Sequence, residues 1–414
     1  MSKINFERQL RKNKNDRITR TLVKTRFIDK PRINYNILAL VIVLLVLSCI
    51  VVYSTTYEKS FVSHFYSSLN TQEINVQDYN LNNSLLSART FRQHLINIII
   101  GLVAMTISIN MPTKYFKLLS YTYYAFTCAL VALVPIKGNE VWGQKRWIDI
   151  FGFSIQPSDL YKVGLILFLS FYLYKTTRDD WKNPVFLLKL FIFTMPFIGI
   201  IILSDLSTGF VILCIVLANI LIMIRKPFKF LSLAAILGGL VIIGLIVAQP
   251  YRISRIMGWI NLEGEAGNHT LLGLHAISSG GLFGKGIGNS IMKSTVPAAN
   301  NDFVFTIICE EFGIIGGILL VGFFALLIRE IFRMVIKSDN LLFYLILVGC
   351  MTHIAMQIII NIGVTLNLVP NTGIGLPFLS TGGSSIISFL FEIGIILNIS
   401  RLQNKKEILN NERL

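Results

Sequence analysis

Ten apolar stretches constrain the fold of this chain more than any other feature of its sequence. Each is close to the roughly 20 residues that a helix needs to cross the hydrocarbon core of a bilayer. Only 14% of the chain is charged, whereas a soluble domain carries about 25% charged residues. We therefore predict an all-α polytopic membrane protein with ten transmembrane helices. The predicted spans are residues 35–55, 93–111, 114–136, 157–175, 184–203, 207–224, 229–249, 303–328, 341–366 and 375–400.

Basic residues predict how these helices are oriented. An even number of spans places both termini on one side of the membrane, and the segments on that side contain 26 of the Lys and Arg residues. The segments on the opposite side contain 10. Because Lys and Arg are enriched in cytoplasmic loops, we expect cytoplasmic N- and C-termini. Charges placed in short loops and in a basic arm also explain the net charge of +16 without a nucleic-acid partner.

Three regions follow from this topology. A basic cytoplasmic arm precedes the transmembrane domain, and a short charged tail follows it. A large extracytoplasmic loop is predicted between helices 7 and 8. The regions are the arm, residues 1–34, the ten-helix domain, residues 35–400, and the tail, residues 401–414, with predicted extracytoplasmic loops at about residues 56–92, 137–156, 250–302 and 367–374.

Residues 280–313 combine a glycine-rich loop, one aspartate and an apolar helix pattern. Lys285 lies in the loop, and Asp302 directly precedes the apolar pattern. An acid at the mouth of an apolar helix is costly, so Asp302 is a candidate for chemistry, although its position also suits a helix cap. Glu310 and Glu311 lie within the helix. We expect one of them to pair with a basic or amide group, and both to support the helix rather than the reaction.

A second polar cluster begins the predicted span 157–175. Asp159 and Lys162 are three residues apart and therefore share one helix face. They are consistent with a helix cap and a local ion pair. Alternatively, Lys162 acts with Lys145 and Arg146 to bind a phosphate-bearing ligand at the outer surface, because arginine makes bidentate phosphate contacts and lysine supplies a point charge.

Two further polar groups lie near the predicted outer surface. Asp205 and Thr208 occupy a tight turn between two spans, where they either cap a helix or contribute an acid to a substrate site. Arg252 and Arg255 lie in an amphipathic segment suited to the membrane surface. Both groups are thus open to a structural and a functional interpretation.

The ninth predicted span carries a polar stripe. His353, Gln357 and Asn361 recur every four residues on one helix face. Such a stripe commonly joins membrane helices by hydrogen bonds, and a direct ligand role is the alternative. The segment that follows is broken by proline and glycine, which is tolerated at membrane depth only where backbone is buried in protein or lines a cavity.

Three segments together resemble the motifs of the SEDS family (shape, elongation, division and sporulation) of bacterial membrane proteins, which includes FtsW and RodA. The resemblance covers about residues 35–400. Asp159 replaces the usual Glu of the family, Asn300 and Asn301 replace His-Thr, and Thr381 replaces a Tyr. The matching residues are Arg146, Trp147, Gly152, Gln156 to Ser158 and Lys162, then Ser279 to Lys293, Asp302 to Phe305, Glu310, Glu311 and Gly313, and finally Asn361, Gly363, Pro370, Thr372, Gly373, Leu376 to Phe378 and Ser380 to Ser385.

The resemblance implies a peptidoglycan glycosyltransferase that polymerises lipid II, an undecaprenyl-pyrophosphate-linked glycan, outside the bacterial cytoplasmic membrane. The essential aspartate of the family matches Asp302, which we predict to be the catalytic base. The resemblance also implies a class B penicillin-binding protein, a transpeptidase, as partner, together with other divisome or elongasome membrane proteins. The predicted substrate-binding residues are Arg146, Lys145, Lys162, Asp159, Arg252, Lys285 and Ser384.

The form of the glycine motif and the basic arm resemble the division branch, FtsW, more than the elongation branch, RodA. We therefore expect septal wall synthesis, with the same chemistry in lateral wall elongation as the alternative. A lipid II flippase or a scaffold for a transpeptidase are alternatives from other functional classes. No dedicated metal cage is visible in the sequence, so no protein metal site is predicted, although a divalent Mg²⁺ or Mn²⁺ ion could accompany the pyrophosphate.

Overall fold

The computed structural model describes residues 33–69 and 76–411, with gaps in the second range. The predicted N-terminal arm and the predicted span 229–249 lie almost entirely outside the described residues. The gaps are residues 142–143, 151–152, 177–179, 181–183, 225–231, 233–238, 240–243, 245–248, 263, 265–266 and 292–299.

Within the described residues the protein is mostly helical, as predicted. The helices are α1 (Tyr35–Leu69), α2 (Val76–Asn110), α3 (Thr113–Lys137), α4 (Pro157–Tyr174), α5 (Pro184–Ser204), α6 (Leu206–Met223), α7 (Pro250–Ile260), α8 (Asn268–Gly280), α9 (Val304–Ile336), α10 (Leu341–Thr365) and α11 (Gly383–Asn411).

Seven helices in the described part of the chain are long and apolar enough to cross a membrane. Two other predicted spans coincide with α4 and α5. Asp159 and Lys162 lower the mean hydropathy of α4, and α5 contains the apolar stretch Leu188–Ser204. These helices indicate a multi-pass membrane protein, while the number ten stays a prediction. The seven spans are Tyr35–Thr56, Arg89–Asn110, Lys114–Lys137, Leu206–Met223, Val304–Ile336, Leu341–Thr365 and Gly383–Asn404.

A small antiparallel sheet corrects the all-α prediction. Strand β1 (Asn139–Val141) pairs with β2 (Gln144–Ile150), and β2 pairs with β3 (Phe153–Ile155), in the order β1-β2-β3. The predicted loop 137–156 therefore has regular structure of its own. Two of its strands have three residues each, which is too short for an alternating pattern to be recognised in the sequence.

Helix ends also differ from the predicted span ends. α1 continues to Leu69 and α2 begins at Val76, so much of the predicted loop 56–92 is helical. Hydropathy marks only the part of a helix in apolar surroundings, whereas backbone hydrogen bonding continues beyond it. The predicted loop 250–302 contains α7 and α8, and α11 begins later than predicted, at Gly383, because a segment rich in glycine and proline precedes it.

α9 is broken at Gly313, whose φ is 73° and ψ is −178°. The backbone of the glycine-rich loop fills the break. The N–H groups of Lys285 and Gly286 donate to the carbonyls of Glu310 and Glu311 at 2.9 and 3.0 Å. A Cβ built on Gly313 would lie 2.2 Å from a loop carbonyl oxygen, so this position requires glycine.

Two buried hydrophobic clusters hold the helices together. The larger one joins α1, α2, α9, α10 and α11, and the smaller one joins α3, α4, α5 and α6. α4 belongs to both clusters, since Val163 and Ile166 face the larger and Tyr161 and Leu165 face the smaller. This packing fixes the first turn of α4 against α10 and α11.

Candidate active site

Asp302 lies at the centre of a group of charged side chains. α9 begins after Phe303 and has no side-chain cap, so the capping role considered for Asp302 is not observed. Gly373 has a φ of 72°. A Cβ built on this glycine would lie 3.6 Å from Asp302 Oδ2, 3.6 Å from Arg146 Nη1 and 4.0 Å from Arg255 Nη2. A carboxylate and two guanidinium groups thus converge on one backbone position.

The surroundings of Asp302 raise the pKa of its carboxyl group. Burial raises the pKa of the Asp302 carboxyl to about 6, against the opposing effect of the Arg255 and Arg146 charges, and Asp205 raises it further. A carboxylate with a pKa close to the working pH is suited to accept a proton in a reaction. The site therefore has the electrostatics of a general base.

β2 supplies Arg146, and the start of α6 holds it in place. Arg146 Nη1 lies 3.2 Å from Asp205 Oδ2, and Arg146 Nε donates to the Ser204 carbonyl at 3.2 Å. Asp205 also caps α6 by accepting from the N–H groups of Ser207 and Thr208 at 3.1 and 3.2 Å. Asp205 therefore caps a helix and orients Arg146 at once, while its role as an acid of a substrate site stays a hypothesis.

The first turn of α4 contributes a buried ion pair. Lys162 Nζ lies 2.9 Å from Asp159 Oδ1 and donates to Gln357 Oε1 on α10 at 3.1 Å. The Ser384 hydroxyl of α11 donates to Asp159 Oδ2 at 3.1 Å. The predicted local ion pair is present, and residues from three helices hold it beside the cavity that contains Asp302.

α7 contributes two arginines, of which the sequence analysis selected one as a ligand. Arg252 is buried and donates to two carbonyls at the end of α5 at 3.0 and 2.9 Å, and burial lowers its pKa. Arg255 donates to the Asn371 carbonyl at 3.0 Å and is the arginine that faces Asp302. The spacing of three residues places both arginines on one helix face, so the sequence alone does not distinguish Arg255 from Arg252.

Two predicted substrate-binding lysines lie elsewhere. Lys145 is exposed on β2, where neighbouring side chains point to opposite faces, so it points away from the side on which Arg146 lies. Lys285 Nζ pairs with Glu310 Oε1 at 2.8 Å, as expected for one of the two glutamates. The structure thus gives Lys285 a structural partner and does not bring either lysine into the group around Asp302.

A small polar pocket and a larger groove meet beside Asp302. The pocket has a volume of about 60 Å³ and is lined by Asp302, Asp159 and Lys162, among others. The groove has a volume of about 740 Å³ and lies between α2, α11 and the sheet. Three residues line both cavities, so the pocket and the groove are adjacent. They are Trp147, Asn301 and Gly382.

The described site does not fit a metal held by protein ligands alone. Among the described residues, no group of three or more His, Cys, Asp or Glu side chains could hold a metal ion. Asp159 is paired with Lys162, and the other two carboxylates, Asp205 and Asp302, lie beside Arg146. These positive charges repel a cation.

Known proteins resemble this chain over most of its length. The family model described as "Cell cycle protein", for FtsW, RodA and SpoVE, matches residues 35–405. "Stage V sporulation protein E" of Bacillus subtilis is 35% identical over 335 residues, which cover 78% of this chain and 89% of that protein. "Probable peptidoglycan glycosyltransferase FtsW" of Coxiella burnetii is 33% identical over 322 residues, which cover 75% and 86%.

Solved structures share the fold. A chain from a structure described as "Structural coordination of polymerization and crosslinking by a peptidoglycan synthase complex" has a TM-score of 0.69 at 22% identity and covers 90% of this chain and 98% of its own. The crystal structure of Thermus thermophilus RodA has a TM-score of 0.60 at 23% identity and covers 89% and 97%. The family predicted from the motifs is therefore confirmed, and the chain belongs to the SEDS family of cell cycle proteins, which comprises FtsW, RodA and SpoVE.

Proposed function

We propose that this protein is a peptidoglycan glycosyltransferase that polymerises lipid II into glycan strands for septal wall synthesis. The observation that carries the proposal is a partly buried carboxylate, Asp302, facing two guanidinium groups where a polar pocket meets a groove. Relatives named peptidoglycan glycosyltransferase FtsW support both the reaction and the division branch. These names do not favour the lateral-wall alternative.

In the proposed reaction each charged group has a role. The acceptor hydroxyl attacks the anomeric carbon of the donor, and its proton passes to Asp302. The bond between that carbon and the pyrophosphate oxygen breaks, and lipid pyrophosphate leaves with the electron pair. Arg146 and Arg255 stabilise the negative charge on the leaving group, and Lys162 adds to them from the pocket. The groove of about 740 Å³ has the size of a ligand-binding cleft.

The proposed orientation places this site outside the cell. We propose ten spans, cytoplasmic termini and the bacterial cytoplasmic membrane as location, supported by the excess of Lys and Arg on the terminal side. A divalent ion, where one takes part, would be held by the pyrophosphate of the substrate rather than by a protein cage. The partner would be a class B penicillin-binding protein that cross-links the new strands. The similar peptidoglycan synthase complex, which is described as coordinating polymerization and crosslinking, supports this partner.

Purified protein in detergent is expected to convert lipid II into glycan strands, because an enzyme needs no membrane gradient or second leaflet for this reaction. The measurement is strand length by gel electrophoresis, with and without a class B penicillin-binding protein. A flippase moves lipid II between leaflets of vesicles but yields no strands, and a scaffold yields none by itself. Complete absence of strands under both conditions would show that the chain is not the polymerase.

The reaction is expected to have an acid limb near pH 6. Asp302 accepts a proton only when it is ionised, so turnover is full above its pKa and falls as the pH decreases through about 6. Arg255→Gln removes a charge that opposes protonation and should move the limb to higher pH. Turnover at saturating lipid II is measured across pH for both proteins. A limb near 3.8, the ordinary pKa of aspartate, would contradict the assignment.

A further inference from the structure

The short segment that ends in Asp302 is held through the backbone carbonyls of three consecutive residues. The Asn361 amide of α10 donates to the Asp302 carbonyl at 2.8 Å. The Ser380 hydroxyl donates to the Asn301 carbonyl at 2.7 Å. The Asn300 carbonyl accepts from the backbone N–H of Thr381 at 3.0 Å. Each donor follows its partner in the chain by 59 to 81 positions, so tertiary packing alone creates these contacts.

Asn361 and Ser380 also bind the opposite wall of the site. The Asn361 amide donates to the Ile374 carbonyl at 2.8 Å, and the Ser380 hydroxyl accepts from the Leu376 N–H at 2.6 Å. Both side chains are buried, with 1% and 4% of their surface exposed. Each one therefore bridges the Asp302 segment and the loop that contains Gly373, where the guanidinium groups converge.

We infer that Asn361 and Ser380 are positioning residues for the reaction, which set the distance between the Asp302 carboxylate and its facing arginines. The inference rests on the proposed role of Asp302 as base. A side chain on a helix inside a packed bundle holds its partner more exactly than a loop does. Displacing a reacting group by about 1 Å can lower the rate about 10²-fold, so loss of either bridge should act on turnover rather than on substrate binding.

A matched control exists elsewhere in the same bundle. The Asn398 amide of α11 donates to the carbonyls of Ser108 and Met111 at 2.6 and 2.8 Å, and Asn398 is 2% exposed. It is thus a buried asparagine that bridges two carbonyls, as Asn361 does. Its partner Ser108 lies about 12 Å along α2 beyond Ile100, the last residue of α2 that lines the groove, at a rise of about 1.5 Å per residue.

The test compares Asn361→Leu with Asn398→Leu. Both should lower the unfolding temperature, but only Asn361→Leu should lower kcat, by up to about 10²-fold, with KM unchanged. Ser380→Ala removes only the hydroxyl group and is the milder second variant. It should lower kcat in the same way. Equal kcat values for wild type and for both the Asn361 and Ser380 variants would overturn the inference.

A second readout does not depend on activity. The rate at which a water-soluble carbodiimide labels Asp302 is measured by mass spectrometry. We expect faster labelling in Asn361→Leu, because the freed segment exposes its carboxylate, and the wild-type rate in Asn398→Leu. If the wild type forms no strands, the proposed function fails. The labelling rates still show whether Asn361 holds the Asp302 segment in place. If Asp302→Asn is inactive while Asn361→Leu labels and turns over like the wild type, the function stands and the positioning role is wrong.

Discussion

Asp302→Asn is expected to lower glycan-strand synthesis by about 10²- to 10⁴-fold, the range that a general base contributes. Asparagine has the shape of aspartate, but its amide cannot accept the proton of the acceptor hydroxyl. The segment should stay in place because its backbone carbonyl, rather than its side chain, binds Asn361. The measurement is the initial rate of strand formation from purified lipid II.

Asp149→Asn provides the control for this experiment. Asp149 is an exposed aspartate on β2, and it accepts from the Asn139 amide at 2.6 Å. This change removes one negative charge from an exposed position that does not line the pocket, so polymerisation should continue at the wild-type rate. Wild-type turnover by Asp302→Asn would show that another group accepts the proton.

Lys162→Met is expected to cause the second large effect, a loss of about 3–5 kcal/mol of stability together with a loss of polymerisation. The side chains of Lys162 and Asp159 are 4% and 8% exposed, so removing the ammonium leaves a buried carboxylate without its cationic partner. Of the hydrogen bonds that the described residues make to the Asp159 carboxylate, the one from the Ser384 hydroxyl then remains. Thermal unfolding in detergent and strand formation are measured on the same preparation.

The double variant Asp159→Asn with Lys162→Met separates the two roles of Lys162. Replacing both partners of a buried pair by neutral groups of similar size is often neutral in stability. We expect the double variant to recover most of the lost unfolding temperature and to remain a poor polymerase, because the positive charge near the leaving group is still missing. Recovery of both stability and polymerisation would reduce Lys162 to a structural residue.

Much of the fold and one ion pair beside the candidate site could be predicted because they depend on local pattern. Apolar length identifies the spans whatever their neighbours are. The Asp159–Lys162 ion pair depends only on a spacing of three residues in one helix, and it was predicted and observed.

Contacts between distant segments could not be predicted from the sequence. Lys285 and Arg255 are both basic residues in one predicted loop, and nothing in the local sequence says which of them faces Asp302. Packing decides the matter, since the break in α9 turns Glu310 toward Lys285 and the loop near Gly373 holds Arg255. The three-residue strands could not be predicted for a related reason. They form because they pair with β2, and their own residues do not indicate that pairing.

The break in α9 at Gly313 has a mechanical consequence. An unbroken helix moves as a rod, so a displacement at one end reaches the other, whereas a helix interrupted by inserted backbone is divided at that point. The piece of α9 that follows Asp302 is anchored by the glycine loop at one end and by residues of α10 and the segment before α11 at the other. We therefore expect movements of the other end of α9 to reach the Asp302 segment less directly than they would through an unbroken helix.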